Sequence, residues 1–214
     1  MTFAERFTAE IAQHQMQVIR DDGVNRHLRF KRPGTMCMHF DLITWPGYLC
    51  YTGDMGTYVF RRLHDMFEFF RRDETRGLYR IDLRYWAEKV EASDKADGIK
   101  EFSEEKFTRL VKERVLSWVR ENAYRTTRDQ RRALWDAVVE EVIGADGDSG
   151  GYRKQAAAHD FTHRIDGRRD FTFQDFWESD CTDYTNRFRW CCHALSWGIS
   201  TYDAAKADAP AVAA

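Results

Sequence analysis

The chain has 214 residues, of which 43% are hydrophobic and 14% aromatic, including 7 Trp, 9 Tyr and 15 Phe. This ring content excludes an intrinsically disordered chain, and the length allows one or two domains. Lys plus Arg total 33 against 35 for Asp plus Glu, so the net charge of -2 excludes a strongly basic nucleic-acid wrapper and a uniformly acidic DNA mimic.

Targeting signals and cysteines indicate the compartment. The N-terminus lacks the basic start and the apolar run of a secretory signal, and no window holds the roughly 18 apolar residues of a membrane-spanning helix. The five cysteines are odd in number and include the vicinal pair Cys191-Cys192, which favours free, mostly buried thiols in a reducing compartment. We therefore expect a cytoplasmic protein that does not contact a membrane.

The first third of the chain predicts one helix and a small sheet. Apolar residues at helical spacing predict an amphipathic helix over 2–20, which ends at Asp21-Asp22-Gly23. Alternating apolar and polar residues predict four strands, over 26–32, 36–45, 48–51 and 57–60. Because tight turns join these strands, the simplest arrangement is an antiparallel meander.

The remainder is mostly helical in pattern. Helical spacing predicts helices over 63–70, 82–92, 103–118, 127–143, 152–158 and 184–202. The two helices over 103–118 and 127–143 resemble a helical hairpin, and Ser103 is the predicted N-cap of the first. The glycine-rich segment 144–151 predicts a flexible loop, and 161–173 a hairpin that turns at Asp166-Gly167.

These elements predict an α+β fold, a small antiparallel β-meander near the N-terminus packed with a mostly helical remainder. We expect a single unit over 1–214. Its sub-divisions would be 1–75, 76–143 and 152–203, with a low-complexity tail over 204–214.

The stretch from His159 to Asp166 is chemically the richest. On one continuous helix, His159 and His163 would share a face as in metal sites, and Asp160 or Asp166 would orient or join them. The sequence offers no third ligand, so a polar surface turn is the favoured interpretation. The Cys and His residues elsewhere lack the paired spacing of a structural zinc site, and we expect no cofactor.

Other catalytic patterns are missing from the sequence. The segment 52–57 bears glycines between strands, but a phosphate-binding loop would lead into a helix and carry a Lys, so we predict a hairpin turn with Asp54 at its tip. There is no Gly-x-Ser-x-Gly pattern and no Cys at a helix start. The sequence therefore assigns no catalytic residues, and an enzyme is the less favoured class.

Pairs of arginines recur along the chain beside aromatic residues, as in Arg61-Arg62, Arg71-Arg72 and Arg131-Arg132. Such mixtures bind nucleic acid through phosphate contacts and stacking. Acidic residues interrupt each run, which favours solvated faces and intramolecular pairs.

Two stretches resemble a known family. Residues 44–60 (TWPGYLCYTGDMGTYVF), which run into 65–70 (DMFEFF), resemble a family of uncharacterised proteins carried by bacteriophages and prophages. Residues 188–199 (FRWCCHALSWGI), followed by Tyr202-Asp203, resemble the C-terminal helix of that family. The resemblance implies an accessory phage protein in the host bacterial cytoplasm and supplies no catalytic residues.

We therefore expect a phage accessory protein that binds a host or defence protein or nucleoprotein complex and inhibits or redirects it by contact. Exposed aromatic and Arg side chains are typical of binding hot spots. The predicted partner-binding residues are Asp54, Arg61, Arg62, Arg71 and Arg72, together with the loop 144–151. One alternative is a metal-dependent enzyme acting on nucleotides or nucleic acid through His159, Asp160, His163 and Asp166. A second alternative is a nucleic-acid-binding protein of phage replication or recombination.

Overall fold

The computed structural model describes residues 1–71, 81–95, 98–145, 151–167 and 169–208. The chain forms two compact units, the sheet unit (Met1–Ile99 with Tyr184–Ala214) and the helical unit (Lys100–Asp183). Helices and antiparallel strands occur in both, so the predicted α+β class is confirmed. That 1–214 forms one domain stays a prediction.

The sheet unit is built on a six-stranded antiparallel sheet whose spatial order follows the chain order. Its strands are β1 (Gln15–Asp22), β2 (Asn25–Lys31), β3 (Phe40–Trp45), β4 (Tyr48–Gly53), β5 (Gly56–Arg61) and β6 (Val90–Ser93). The predicted meander corresponds to β2 through β5. The third strand begins at Phe40 rather than at 36, because Met38 adopts a left-handed φ of 59° that interrupts the extended chain.

The predicted helix over 2–20 is wrong beyond its first half. Helix α1 (Phe3–Ile11) buries Phe7 and Ile11, and the chain then enters β1. A two-residue turn joins β1 to β2, and Gly23 takes a φ of 57° in it. The cross-strand pairing across this turn outweighs the helical spacing, which is a weak local preference.

The predicted helix over 82–92 is also shorter than its pattern. It covers only α3 (Leu83–Ala87), where Trp86 is buried, and the chain continues as β6. Strand β6 pairs antiparallel with β5 and extends the sheet at that edge. Because this pairing joins segments about 30 residues apart in sequence, the local pattern does not reveal it.

One face of the sheet packs against helices and forms the core of the sheet unit. The helices that contribute to this core are α1, α2 (Met66–Phe70), α3 and α7 (Asn186–Ala207). The predicted long C-terminal helix is thus confirmed as α7. A Cβ atom at Gly198 of α7 would lie 3.0 Å from Cδ1 of Leu42 and 3.2 Å from Cζ of Phe30. A side chain-free position therefore lets α7 approach β2 and β3 closely.

The helical unit has its own hydrophobic core. Its elements are α4 (Glu104–Glu121), α5 (Arg128–Val138), a π-helical turn (Val139–Ile143), α6 (Tyr152–Asp160), β8 (Thr162–Asp166) and β9 (Arg169–Thr172). Short 3-10 turns span Ala123–Arg125 and Phe176–Glu178, and β7 (Lys100–Phe102) pairs with β10 (Thr182–Tyr184). Buried residues of α4, α5 and α6 share one core with the hairpin β8–β9.

Most of the local predictions for the helical unit are confirmed. Ser103 caps α4 by accepting a hydrogen bond from the backbone N–H of Lys106, and β8 pairs antiparallel with β9. Of the predicted loop 144–151, residues 146–150 lie outside the described part of the chain, as do 209–214 of the predicted tail. Within the described residues, no helix is both long and apolar enough to span a bilayer.

Candidate protein-interaction site

The sheet face opposite the core carries an ordered set of side chains, which we call the outer face. The strands alternate, so Leu28 and Phe40 point into the core while their neighbours along β2 and β3 point away from it. The register of β2 to β5 arranges the outward side chains in three cross-strand rows: Arg29, Asp41, Thr52 and Thr57; His27, Ile43, Cys50 and Val59; and Trp45, Tyr48 and Arg61. Polar, apolar and aromatic rows thus lie side by side.

The polar row is fixed by a buried carboxylate. Arg29 donates to both oxygens of Asp41 at 2.8 Å, and Nε2 of His27 lies 2.7 Å from Oδ2 of the same carboxylate. Burial by itself would raise the pKa of Asp41, but the hydrogen bonds from Arg29 and His27 lower it below its ordinary value. Asp41 is therefore an ionised anchor that orients two side chains of the outer face.

The outer face includes one cysteine, but its thiol is not activated. Burial, with the nearby charge of Asp41, raises the pKa of Cys50. The Sγ–H group donates to the carbonyl of Tyr51. A nucleophilic cysteine needs a lowered pKa, so the contact between His27 and Asp41 orients a side chain and does not complete a nucleophilic triad.

The aromatic row is partly exposed, and its side chains contact one another. The rings of Trp45 and Tyr48 stack with centroids 5.2 Å apart, and the guanidinium of Arg61 lies 5.3 Å from the Tyr48 ring centroid. Trp45 remains 38% exposed and the Arg61 side chain 58%. The turn at Gly47 is tied to the following loop by hydrogen bonds to His64 and from Arg62. These side chains are thus arranged before any partner arrives, which reduces the entropic cost of binding.

A pocket of about 370 Å³ opens where the aromatic row meets the start of β2. Its lining residues are Ile19, Arg20, Asn25, Arg26, His27, Ile43, Thr44 and Trp45. Three of these, Ile19, Ile43 and Trp45, are apolar, and the remaining lining residues are polar or charged. Such a pocket accommodates one apolar side chain of a partner.

The predicted partner-binding residues divide into two groups. Arg61, a member of the aromatic row, and its neighbour Arg62 are exposed, whereas Asp54 and Arg71 form contacts within the chain. Asp54 accepts a 2.6 Å hydrogen bond from the backbone N–H of Met38 and lies 3.0 Å from Nδ1 of His39. The predicted hairpin turn with the exposed Asp54 at its tip is thus confirmed, and the Asp54 carboxylate also holds the loop that precedes β3.

Arg71 forms a forked pair with Asp203 of α7, with both hydrogen bonds at 3.1 Å. This pair joins the end of α2 to α7. It accounts for the position of Arg71 by a contact within the chain, so no binding partner is needed to explain it. Arg72 lies outside the described residues.

The four residues of the metal alternative do not form one cluster. His159 lies in the last turn of α6 and contacts Asp160 at 2.9 Å, while His163 lies on β8, so the two histidines do not share one helix. Asp166 pairs with Arg169 across the turn of the hairpin at 2.6 Å. Over the described ranges, no group of three or more His, Cys, Asp or Glu side chains is placed to hold a metal ion.

Trp45, Tyr48 and His27 were not predicted from the sequence as surface residues. The available signal was the phase of the strand alternation, because fixing Leu28 and Phe40 as core residues places their neighbours on the opposite face. A second exposed aromatic group was also missed, in which Trp177 contacts Tyr152 and His159 with ring centroids 5.7 Å apart in both pairs. This second group lies in the helical unit.

Comparison of the chain with protein-family models, with curated proteins and with solved structures gives no match. The functional interpretation therefore depends on the side chains of the chain itself.

Proposed function

We propose that this chain acts by contact, docking the outer face of its sheet unit on a host or defence protein or nucleoprotein complex, which it inhibits or redirects. The observation that supports this is the row of exposed Trp45, half-buried Tyr48 and exposed Arg61, which contact one another beside a pocket. Trp, Tyr and Arg are the residue types most enriched at binding hot spots.

The chemistry of the face favours an acidic partner surface with an apolar anchor. The walls of the pocket formed by Ile19, Ile43 and Trp45 suit an aliphatic or aromatic side chain. Among the described residues, Arg61 pairs with Glu91 at 3.9 Å, and both side chains are more than half exposed. Because such exposed pairs contribute little, Arg61 is available to a carboxylate on the partner.

The setting that we propose is the bacterial cytoplasm during phage infection or prophage carriage. It depends on the resemblance of 44–60 and 188–199 to phage-borne proteins. The interaction face itself depends on different observations, so the two parts of the proposal can fail separately.

The test is an affinity capture of the tagged full chain from infected host lysate, treated with nuclease and analysed by mass spectrometry. We expect a stoichiometric protein partner that withstands nuclease, and its loss with Arg61→Glu and with Trp45→Ala. Matched controls come from the helical unit. Arg109 is also 58% exposed with a glutamate at 3.9 Å, and Trp177 is 43% exposed.

The controls Arg109→Glu and Trp177→Ala should retain the partner. The proposal is overturned if all four variants behave alike, if nothing is captured, or if the captured material is removed by nuclease. The last outcome would support direct nucleic-acid binding, which should also weaken steeply with salt.

A further inference from the structure

Strand β1 is a long edge of the sheet, and no strand of the described residues pairs with it on its outer side. It has eight residues, whereas the opposite edge strand β6 has four. Seven of the eight residues of β1 are exposed, including Val18 at 50% and Ile19 at 46%. An edge strand presents unpaired backbone N–H and C=O groups, and apolar side chains on it favour pairing with a further strand.

The features that normally protect an edge are weak in β1. A bulge interrupts its pairing with β2 at Ile19, and the charged residues are confined to its second half. Those charges are already compensated within the chain: Arg20 pairs with Asp22 at 3.1 Å, and Asp21 with Lys206 at 2.6 Å. The first half, 15–18, carries no charge. The free edge therefore lacks the uncompensated charges that oppose strand addition.

We propose that β1 pairs with β1 of a second copy of this chain, antiparallel and centred on Val18. In this arrangement the uncharged half of each strand faces the charged half of the other. A parallel pairing would instead place Asp21 and Asp22 against their own copies, and like charges directly opposite each other are destabilising. The charge pattern of the strand thus selects the antiparallel arrangement.

The bulge fits this pairing. With Val18 at the two-fold axis and Ile19 as the extra residue, Gln17 lies opposite Arg20 of the other copy. Both residues belong to the outer face, because Gln17 pairs with Arg29 and Arg20 with His27 in the sheet. The two faces of the sheet therefore remain continuous across the dimer, and the pairing is closed because both copies contribute the same strand.

The axis of such a dimer runs perpendicular to the sheet. It joins two six-stranded sheets into one of twelve strands, and both outer faces point to the same side. A target with two equivalent surfaces would then be bound by both copies at once, which increases the apparent affinity. The pairing itself does not require the proposed function, and the tests below are independent of any partner.

The first test is sedimentation equilibrium of the full chain from about 1 to about 200 micromolar. We expect the mass to rise from 25.3 kDa toward twice that value. Val18→Lys brings two like charges together at the axis and should weaken association at least about tenfold. The control is Val139→Lys, which alters a valine of 41% exposure in the helical unit and should leave association unchanged.

The second test determines whether the two β1 strands pair in the antiparallel direction. In a background in which the exposed Cys37 is changed to Ser, Gln17→Cys and Arg20→Cys chains are mixed and mildly oxidised. Residues directly opposite on antiparallel strands lie within the range of a disulfide. We expect cross-links in the mixture and few in either chain alone. A monomer at the highest concentration, equal association of Val18→Lys, or equal cross-linking in all samples would each overturn the proposal.

Discussion

Arg26 and Asp65 form a forked ion pair inside the sheet unit, with hydrogen bonds of 2.9 and 2.8 Å. Their side chains are only 8% and 15% exposed. Asp65 also caps α2 by accepting from the backbone N–H of Phe67, and the Arg26 guanidinium lies 4.7 Å from the Phe67 ring centroid. The Asp65 carboxylate therefore links β2 to the start of α2, two elements that are far apart in sequence.

Asp65→Asn tests this pair, because Asn retains the N-cap while it removes the charge. Loss of one partner from a buried pair leaves an uncompensated guanidinium, so the free energy of unfolding should fall by about 3 kcal/mol. Urea denaturation measures it. Asp22→Asn is the control, since its pair with Arg20 is 60% and 74% exposed and should contribute less than about 1 kcal/mol. Equal effects of the two substitutions would contradict this assignment.

Stability should decline in acid because of Asp41 and Asp65. Burial alone would raise each pKa, but the hydrogen bonds from Arg29 and Arg26 lower each below the ordinary 3.8. A lowered folded-state pKa stabilises the fold above the unfolded pKa, and this stabilisation is lost as pH falls through the folded pKa. Urea midpoints between about pH 5 and about pH 2 should fall more steeply for the natural chain than for Asp41→Asn/Asp65→Asn. An equal decline of the urea midpoint with falling pH in the two chains would refute this expectation.

Thiol labelling should distinguish the five cysteines. All are free, Cys37 is exposed, and Cys191 and Cys192 are buried. Burial raises the pKa of both buried thiols well above the ordinary value, which lowers the fraction of reactive thiolate. Brief iodoacetamide treatment of the folded chain should therefore add one group, at Cys37, by intact mass, and urea should expose the rest. Rapid labelling of Cys191 or Cys192 without denaturant would disprove this packing.

The hydroxyl of Tyr51 is fully buried and has no hydrogen-bond partner among the described residues. An unpaired buried hydroxyl is costly, so Tyr51→Phe should raise the free energy of unfolding by about 1 kcal/mol. The adjacent Tyr58 provides the comparison, because its hydroxyl donates to the carbonyl of Gly98 at 3.2 Å. Tyr58→Phe should lower the same quantity in urea denaturation. A loss of stability in both variants would indicate that the Tyr51 hydroxyl is satisfied.

The local sequence pattern predicted helices and turns correctly where contacts between neighbouring residues determine the structure. The helical stripe after Ser103, the turn at Asp166-Gly167 and the C-terminal helix all appear where spacing and turn residues predicted them. These elements depend on contacts within a few residues of one another, and such contacts leave a period in the sequence. Arg61 and Arg62 were predicted from their residue type, and both are exposed in the fold; their part in binding stays a prediction.

Tertiary contacts determined which strands form the edges of the sheet. They also determined which charged side chains are paired within the chain. Strands β1 and β6 replaced predicted helix because pairing with β2 and β5 satisfies their backbone groups. Asp54 contacts His39. Arg71 pairs with Asp203, which lies 132 residues farther along the chain. The sequence by itself determined the fold class, the core periodicity and most helices. Which side chains remain free for a partner was set only by folding, because a charge is occupied by whichever group the folded chain brings beside it.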